Sequence, residues 1–245
     1  MGKWQLHRFF SGDDVIRRHM PPTVEYNSAS LKRFLKNYKA VYIKPNDEHQ
    51  GIGIIKAWKT EQGTYTYVKV RGKPAAVLPT TDALHQKLGI QSKPRFVVQK
   101  AIPLARTKGR PFDIRVMMMR HHGKWTYVGM LAKVAGQNSI ITNVRRGGGY
   151  VETVSAALSS AGQQGIAKKE AQLRELSYRI CQRADRYKYS RQIGIDFGID
   201  KKGNIWIIEV NLDYPSHALF AKLRDRKTYH KIKQIAATYK DGWKG

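Results

Sequence analysis

The sequence predicts an α+β fold whose sheets are mainly antiparallel. Two observations predict the elements: several short runs rich in β-branched and aromatic residues, and long stretches with apolar residues at helical spacing. A third observation is their order, which is helix, strands, helix, strands, long helix, hairpin and helix. Because strands and helices do not alternate regularly, this order favours antiparallel sheets over a parallel sheet with crossover helices.

The elements follow in chain order from their patterns. The first helix is predicted in SASLKRFLKNY, which begins with Ser28 as the N-cap. The other helices are predicted at 81–88, at 167–187 and in DRKTYHKIKQIAATYK (225–240). Strands are predicted in AVYIK (40–44), GIGIIKAW (51–58), TYTYVKV (64–70), RFVVQ (95–99), FDIRVMMMR (112–120) and KWTYVGMLAKV (124–134).

Length and composition restrict the class of protein. A chain of 245 residues forms one large domain or two small ones. No window reaches the roughly 18 to 20 apolar residues of a membrane helix, and the opening MGKWQLHRFFSGDD lacks the apolar core of a signal peptide. We therefore expect a cytoplasmic protein that does not span a membrane. The single cysteine, Cys181, excludes an internal disulfide and a multi-thiol zinc site.

The net charge is unusually positive. The chain has 45 Lys and Arg against 18 Asp and Glu, a formal charge of +27. Such a surface attracts polyanions. The basic residues are spread along the whole chain, and we find no zinc-finger spacing, RNP aromatic signature or heptad with a basic region. This distribution favours nonspecific polyanion binding over sequence-specific recognition of nucleic acid.

Residues 191–211, RQIGIDFGIDKKGNIWIIEVN, place two acids in apolar runs on either side of a turn. A turn centred on 202–203 predicts that Asp196 lies opposite Glu209. The same register pairs Gly194 with Asn211 and Gly198 with Ile207. Because like charges directly opposite each other repel, we expect a cation between the two acids.

The alternation of this hairpin predicts which residues share a face. Asn211 lies on the face of the two acids, and Gly194 and Gly198 leave space above it. The other, buried face is predicted to carry Ile195, Phe197, Ile199, Trp206, Ile208 and Val210. Oxygen ligands in this arrangement suit Mg²⁺, which retains water and shares its shell with phosphates. The alternative is a pair of solvent-exposed acids that balance nearby lysines.

A candidate phosphate site precedes this hairpin in VYIKPNDEHQGIGIIKAW (41–58). Lys44 ends a predicted strand, and Gly51 and Gly53 follow in a loop. Glycines allow backbone N–H groups to approach phosphate oxygens. The loop is not a Walker A motif, which ends in Gly-Lys-Ser/Thr before a helix. A plain hairpin turn is the alternative, and the acidic hairpin favours the phosphate site.

The order of several motifs resembles the ATP-grasp fold. More narrowly, the chain is similar to the YheC/YheD family of endospore coat-associated ATP-grasp proteins, over nearly its whole length. The motifs are KW near the start, MPPT (20–23), VYIKP (41–45), VVQKAIPL (97–104), GRPFDIRV (109–116), TNVRRGGG (142–149) and GIDFGID…IIEVN (194–211). Any one of these motifs is unspecific, but their order is specific.

The resemblance implies a domain organisation, with two α+β subdomains that grip the nucleotide between them. Residues 1–29 are expected to be the N-terminal segment of the core, 30–101 the ATP-binding lid and 102–245 the catalytic and metal-binding subdomain. Family members usually carry an additional N-terminal domain. The motifs here begin almost at Met1, so we expect that accessory domain to be absent.

The resemblance also implies ATP and Mg²⁺ or Mn²⁺ as cofactors, together with the residues that bind them. The expected nucleotide-binding residues are Lys3, Lys44, Gly51, Gly53, Gln99, Lys100, Ile102 and Asp113. The expected metal ligands are Asp196, Glu209 and Asn211. The expected catalytic residues, which suit anionic transition states, are Arg115, Lys133, Asn143 and Arg146. Two departures from the family pattern are Lys133 in place of an arginine and the segment NLDYPSH (211–217) in place of a small residue followed by Pro-Gly.

For ATP-grasp ligases the implied reaction is transfer of the γ-phosphoryl group of ATP to a carboxylate, followed by attack of an amine or similar nucleophile. The partners are then an unidentified carboxylate and nucleophile, together with spore coat proteins, and the location is the cytoplasm or the spore coat. The alternative is a structural spore coat protein that at most binds nucleotide. His121 and His122 are adjacent in a predicted turn, which favours exposure over a catalytic role.

Overall fold

The protein consists of two compact units, each built from more than one segment of the chain. The computed structural model describes residues 2–48, 52–69, 73–75, 77–90, 95–142, 144, 148–212 and 215–239. Unit 1 comprises Met1–Ser11, Pro21–Pro103 and Ala135–Gly149; unit 2 comprises Gly12–Met20, Leu104–Val134 and Tyr150–Gly245. The chain passes from unit 1 to unit 2 between Pro103 and Leu104, and residues 135–149 belong to unit 1 again. The expected division into 1–29, 30–101 and 102–245 stays a prediction.

The described residues form helices and strands at most of the predicted positions. The helices are α1 (Lys3–Ser11), α2 (Asp14–Arg18), α3 (Ser28–Asn37), α4 (Thr81–Leu88), α5 (Val154–Ser160), α6 (Ile166–Asp185) and α7 (Lys227–Ala237), with a 3-10 turn at Phe220–Lys222. The strands are β1 (Thr23–Glu25), β2 (Ala40–Pro45), β3 (Ile55–Lys59), β4 (Tyr65–Lys69), β5 (Phe96–Lys100), β6 (Arg106–Thr107), β7 (Arg110–His121), β8 (Lys124–Val134), β9 (Tyr150–Glu152), β10 (Gln192–Ile199) and β11 (Ile205–Asn211).

Unit 1 contains a five-stranded antiparallel sheet in the order β1-β5-β2-β3-β4. Helices α3 and α4 pack against each other, and their apolar residues share a core with β2. The N-cap of α3 is Asn27 rather than the predicted Ser28. The Asn27 side chain accepts a hydrogen bond from the Ser30 backbone N–H, and the Ser30 hydroxyl accepts one from the Asn27 N–H. This capping box satisfies two backbone donors that a helix start leaves unpaired.

Unit 2 contains an antiparallel sheet in the order β11-β10-β7-β8-β9, with β6 paired to β7. Helix α6 packs against β7, β8 and β10. Met117 and Met119 of β7 share a core with α7 and Phe220. Because side chains alternate along a strand, α6 and α7 cover opposite faces of the sheet. Helix α7 covers part of one face of the sheet, and the polar residues Asp113 and Arg115 lie on that same face.

Three short helices and three very short strands were not predicted. Helices α1, α2 and α5 span five to nine residues, and β1, β6 and β9 span two or three. Strands of two or three residues contain too few residues to show a periodic pattern. The strands exist because they pair with β5, β7 and β8. Among the described residues, we find no helix that is both long and apolar enough to cross a membrane.

Candidate functional site

The acidic hairpin of β10 and β11 pairs as predicted at two positions. Asp196 lies opposite Glu209 and Gly194 lies opposite Asn211. The register then shifts after Asp196, so that Gly198 lies opposite Trp206. The predicted pairing of Gly198 with Ile207 is therefore wrong. One additional residue on β11 forms a β-bulge, which the symmetric turn model does not include.

The bulge changes the faces of three residues of β11. Ile207 lies opposite Phe197, and a Cβ atom on Gly198 would lie 3.1 Å from Ile208 Cδ1. Ile208 and Trp206 were predicted on the buried face with Phe197. They lie instead on the face of Gly198, whereas Ile207 takes their place in the core.

The two glycines of β10 do not leave an open space. A Cβ atom on Gly194 would lie 2.6 Å from Pro215 Cβ, and one on Gly198 would lie 2.5 Å from Leu104 Cδ2. Such distances are shorter than carbon atoms tolerate without a shift of one partner. The glycines therefore allow Pro215 and Leu104 to approach the sheet closely, which corrects the expectation of free space above them.

Four charged side chains form a buried ion-pair cluster on this face: Asp113, Arg115, Lys133 and Asp196. Arg115 donates from Nε to Asp196 Oδ1 and from Nη2 to Asp196 Oδ2, the latter at 2.9 Å. Lys133 Nζ donates to Asp196 Oδ2 at 2.8 Å and lies 3.2 Å from Asp113 Oδ1. The register explains the cluster, because Asp113 lies opposite Lys133, and Arg115 lies opposite Asp196.

The cluster holds Arg115, Lys133 and Asp196 in their charged forms. Burial raises the pKa of Asp196, but Arg115 and Lys133 outweigh this and keep the pKa well below its usual range. Burial lowers the pKa of Arg115 and Lys133, and the neighbouring carboxylates outweigh it and raise both pKa values. Glu209 contributes to the raised pKa of Arg115. Three carboxylates thus face two cations, which leaves one negative charge.

The expected cation beside Asp196 is supplied, in this structure, by Arg115. The three expected metal ligands nevertheless present only oxygen donors: Asn211 Nδ2 lies 3.4 Å from the Gly194 carbonyl oxygen, so the amide oxygen of Asn211 remains an acceptor. No group of three or more His, Cys, Asp or Glu side chains suited to a metal occurs in the part of the chain that the structure describes. Two carboxylates and an amide fit Mg²⁺ that retains several waters. Asp196 would then share its oxygens between the metal, Arg115 and Lys133.

In unit 1, Lys44 is held by its neighbours on the sheet. Its Nζ donates to Gln99 Oε1 at 2.6 Å and lies 5.4 Å from the centre of the Tyr42 ring. Gln99 Nε2 in turn donates to Thr23 Oγ1 at 2.8 Å. Gln99 was expected to bind the nucleotide, and in the structure its side chain also orients Lys44. Thr23 was not predicted, although it lies in the MPPT motif.

Lys3 and Gly53 lie on either side of the end of β2. Lys3 Nζ donates to the carbonyl oxygen of Pro45 at 2.9 Å and to that of Glu48. Gly53 has a φ of +67°, and a Cβ atom on it would lie 2.8 Å from Pro45 Cγ. A side chain at position 53 would therefore be strained and would collide with Pro45. Lys3 holds backbone carbonyls of the segment that follows Lys44.

The remaining expected nucleotide-binding residues of unit 1 lie around β5. Lys100 Nζ lies 5.4 Å from the centre of the Tyr38 ring, and Ile102 is buried. Three expected site residues lie outside the described residues, namely Gly51, Asn143 and Arg146. Of the expected catalytic set, the structure therefore brings together Arg115 and Lys133.

A family model described as YheC/D like ATP-grasp matches residues 1–241. The chain belongs to this family. Endospore coat-associated protein YheD of Bacillus subtilis is 27% identical over 228 residues, which cover 89% of this chain and 49% of YheD. Endospore coat-associated protein YheC of the same organism is 22% identical over 218 residues, covering 85% of this chain and 58% of YheC. The chain thus spans about half the length of these curated relatives.

Solved structures confirm the ATP-grasp fold of this YheC/D-like chain. The C-terminal domain of K. lactis Pby1, an ATP-grasp enzyme interacting with the mRNA decapping enzyme Dcp2, superposes with a TM-score of 0.56, 15% identity, and coverage of 95% of this chain and 69% of that one. D-alanyl-alanine synthetase A of Vibrio cholerae gives a TM-score of 0.51, 12% identity, and coverage of 92% and 62%. At these identities the likeness shows the fold alone.

Proposed function

We propose that this YheC/D-like protein is an ATP- and Mg²⁺-dependent ligase that joins a carboxylate to an amine or similar nucleophile. The observation that carries the proposal is the buried ion-pair cluster beside Glu209, in a chain with the ATP-grasp fold. Buried charges are costly to maintain, so a cluster of this kind is more often retained for function than for stability. D-alanyl-alanine synthetase A, which shares the fold, is by its name an enzyme whose chemistry is consistent with this proposal.

The proposed reaction has two steps. A carboxylate oxygen attacks the γ-phosphorus of ATP, the bond to the bridging oxygen breaks, and ADP leaves with the electron pair. The nucleophile then attacks the carbonyl carbon of the acylphosphate, inorganic phosphate leaves, and the nucleophile releases a proton. Both steps concentrate negative charge on oxygen atoms, so fixed cations and a metal ion are the most effective source of catalysis.

The residues of unit 2 suit the stabilisation of this charge. Arg115 and Lys133 are held in their charged forms by Asp196 and Asp113, so that their cationic groups are fixed before a ligand binds. Glu209 and Asn211 would hold Mg²⁺ together with Asp196. When bound, the metal would neutralise phosphate oxygens. Asn143 and Arg146 are proposed to act on the same anionic groups.

The residues of unit 1 suit binding of the nucleotide. Lys44 is oriented by Gln99 and is proposed to contact the phosphates, with Gly51 and Gly53 in the loop that follows. Lys3 is proposed to act on this loop through the carbonyl groups that it holds. Lys100 and Ile102 are proposed to line the adenine, and Asp113 of unit 2 is proposed to contact the ribose.

A non-catalytic protein of the spore coat, which at most binds nucleotide, is the second candidate. One observation favours it: both oxygens of Asp196 already accept hydrogen bonds from Arg115 and Lys133, so a metal must share them. The names of YheC and YheD also place those relatives at the endospore coat. We accordingly propose coat proteins as partners under either candidate function.

Binding of Mg-ATP is the first test. We expect the melting temperature to rise with Mg-ATP, because a ligand at 100 times its Kd adds about 2.7 kcal/mol to the free energy of unfolding. Mg-AMP, which lacks the phosphates that Lys44 is proposed to contact, serves as the control. If millimolar Mg-ATP leaves the melting temperature unchanged, the protein does not bind ATP. This result would contradict the ligase proposal and would remove nucleotide binding from the structural candidate.

Turnover separates the two candidates. The protein is incubated with Mg-ATP and pooled carboxylates and amines, and ADP and new product masses are measured. The variant Glu209→Gln removes one ligand charge at nearly constant shape, and we expect it to abolish ADP formation. Glu175→Gln, an exposed acid on α6, is the matched control and should retain the parent rate. Binding of ATP without ADP formation by the parent protein would favour the structural candidate.

A further inference from the structure

Two segments of unit 2 that are remote in the sequence form one basic and aromatic surface. We call residues 120–125, in the β7–β8 hairpin, and 183–191, from the last turn of α6 to the start of β10, the arginine–aromatic surface. They lie side by side because the Arg120 backbone N–H donates to the Arg191 carbonyl oxygen at 2.8 Å. Six of their fifteen residues are Lys or Arg and one is Asp, against 45 Lys and Arg in all 245 residues. The density of basic residues is thus about twice the average of the chain.

The centre of this surface is a layered arrangement of charged and aromatic groups. The Arg120 guanidinium lies 4.4 Å from the centre of the Trp125 ring and 5.0 Å from that of the Tyr189 ring. Arg120 also pairs with Asp185, and Trp125 Nε1 donates to Asp185 Oδ2 at 3.0 Å. Asp185 thus holds Arg120 and the Trp125 ring in place, and Arg120 in turn lies against the Tyr189 ring. A surface that is ordered before a ligand binds has a lower entropy cost of binding.

Tyr189 is the most exposed aromatic residue at this surface. It is 70% exposed, although one side of its ring is occupied by Arg120. The free side of the ring therefore offers an apolar plane to the solvent. Lys124 and Arg186, which are exposed, supply positive charge in the same two segments.

We propose that the arginine–aromatic surface binds single-stranded nucleic acid. The bases would stack on the open side of Tyr189, and Lys124 and Arg186 would neutralise phosphates. An acidic peptide offers carboxylates but no flat rings to stack on tyrosine. A duplex buries the faces of its bases, so Tyr189 has no base face on which to stack. The combination of an exposed aromatic ring and nearby cations thus favours a single strand over other polyanions.

The first experiment measures stacking separately from charge. A fluorescent oligothymidylate of about 20 nucleotides, longer than the site size of about 4 to 16 nucleotides in known single-strand binders, is titrated with protein, and anisotropy is recorded. Tyr189→Ala changes no charge and should weaken binding about fivefold or more, because stacking contributes about 1 to 3 kcal/mol per base. Tyr189→Phe retains the ring and should bind as the parent does. Equal affinities of the parent and the alanine variant would overturn the proposal.

The second experiment locates the charges that contact phosphates. The double variant Lys124→Ala, Arg186→Ala should reduce the slope of log affinity against log salt by about 1.4, since each phosphate contact on a single strand contributes about 0.7. The double variant Lys32→Ala, Lys36→Ala removes the same charge from the exposed side of α3 in unit 1 and is the matched control. If both variants change the slope equally, binding is not local to this surface and the proposal is wrong.

Competition identifies the class of ligand. Unlabelled single strand should displace the probe at lower concentration than a duplex or polyglutamate with an equal number of charges. Equal competition by polyglutamate would show a general polyanion surface and would contradict the proposal. Glu209→Gln should bind the probe as the parent does, which separates this surface from the proposed ATP site.

Discussion

At the residue scale, the main feature is a set of ionisable side chains kept away from water. Asp196 accepts hydrogen bonds from both Arg115 and Lys133, and Lys133 also pairs with Asp113. A buried pair of this kind adds little net stability, because desolvation offsets the attraction. Removal of one partner, however, leaves a buried charge without compensation, so each member depends strongly on the others.

Replacement of Lys133 tests this dependence. Lys133→Met preserves the length of the side chain but removes the cation from Asp113 and Asp196, and we expect the free energy of unfolding to fall by about 3 to 5 kcal/mol. Urea unfolding provides the measurement. Lys201→Met, on the exposed turn after β10, is the control and should change stability by less than about 0.5 kcal/mol. Similar losses in both variants would mean that Lys133 does not stabilise the buried carboxylates.

The lowered pKa values of two histidines lead us to expect that the protein loses stability in acid. Burial lowers the pKa of His7 to about 4, and burial together with Lys233 lowers the pKa of His217 to about 4. Unfolded histidine has a pKa of about 6.5, so between about pH 6.5 and about pH 4 the unfolded chain binds protons that the folded chain does not. The free energy of unfolding should therefore fall as the pH falls, by at most about 1.4 kcal/mol per pH unit for each histidine.

Urea unfolding at several pH values measures this slope. His7→Phe retains an aromatic ring beside Trp4 but cannot be protonated. The free energy of unfolding of this variant should therefore fall less steeply with pH, because only His217 still contributes. Stability that stays constant from pH 7 to about pH 5 would contradict the buried, neutral state of both rings.

At the element scale, the close packing of α7 against β8 depends on one glycine. A Cβ atom on Gly129 would lie 2.4 Å from Thr228 Cγ2 of α7. No larger residue fits unless the helix or Thr228 moves. Because α7 also packs on Met117 and Met119, its position determines how much of that face of the sheet it covers.

A double-mutant cycle tests this contact. Gly129→Ala should lower the free energy of unfolding by about 1 to 3 kcal/mol through overpacking. Thr228→Ala removes the two nearest atoms, and in the double variant it should restore part of that loss. Urea unfolding of the parent, both single variants and the double variant gives the coupling energy. Strictly additive effects would mean that α7 does not approach the sheet at this position.

At the scale of the whole molecule, the main feature is the formal charge of +27, which arises from basic residues spread along the whole chain. The chain has 45 Lys and Arg but only 18 Asp and Glu, so the basic residues cannot each pair with an acid of their own. Mutual repulsion of surface charges disfavours a compact state. The same excess of positive charge attracts polyanions nonspecifically. The proposed binding of a single strand at Tyr189 and its neighbours adds to this general attraction.

Salt should therefore stabilise the protein. Raising NaCl from about 0.1 M to about 1 M shortens the screening length from about 10 Å to about 3 Å, which weakens repulsion between surface charges. We expect the melting temperature to rise, as measured by circular dichroism. The variant Lys32→Gln, Lys36→Gln carries two fewer charges and should show a smaller rise. A melting temperature that falls with salt would indicate that attractive pairs outweigh the repulsion.

The local pattern of the sequence was sufficient for the described strands of five or more residues and for four of the helices. Helix α4 occupies the predicted 81–88, and the predicted strand 112–120 lies within β7. The opposition of Asp196 and Glu209 also follows from the sequence, because the turn between them is short and fixes the register. The ordered motifs predicted the ATP-grasp family and fold, which the family model and the solved structures confirm.

Contacts between remote residues were decided by the tertiary structure alone. The pairing of Arg115 with Asp196 and the contact of Arg120 with Tyr189 join segments that are remote in the sequence. The bulge at Ile208 lies within a hairpin, but the alternation of residues does not show where an additional residue is inserted. The physical reason is that helical and strand periodicity reflects burial along one segment. The partner of a charged side chain depends instead on the register between strands, and a single additional residue changes that register.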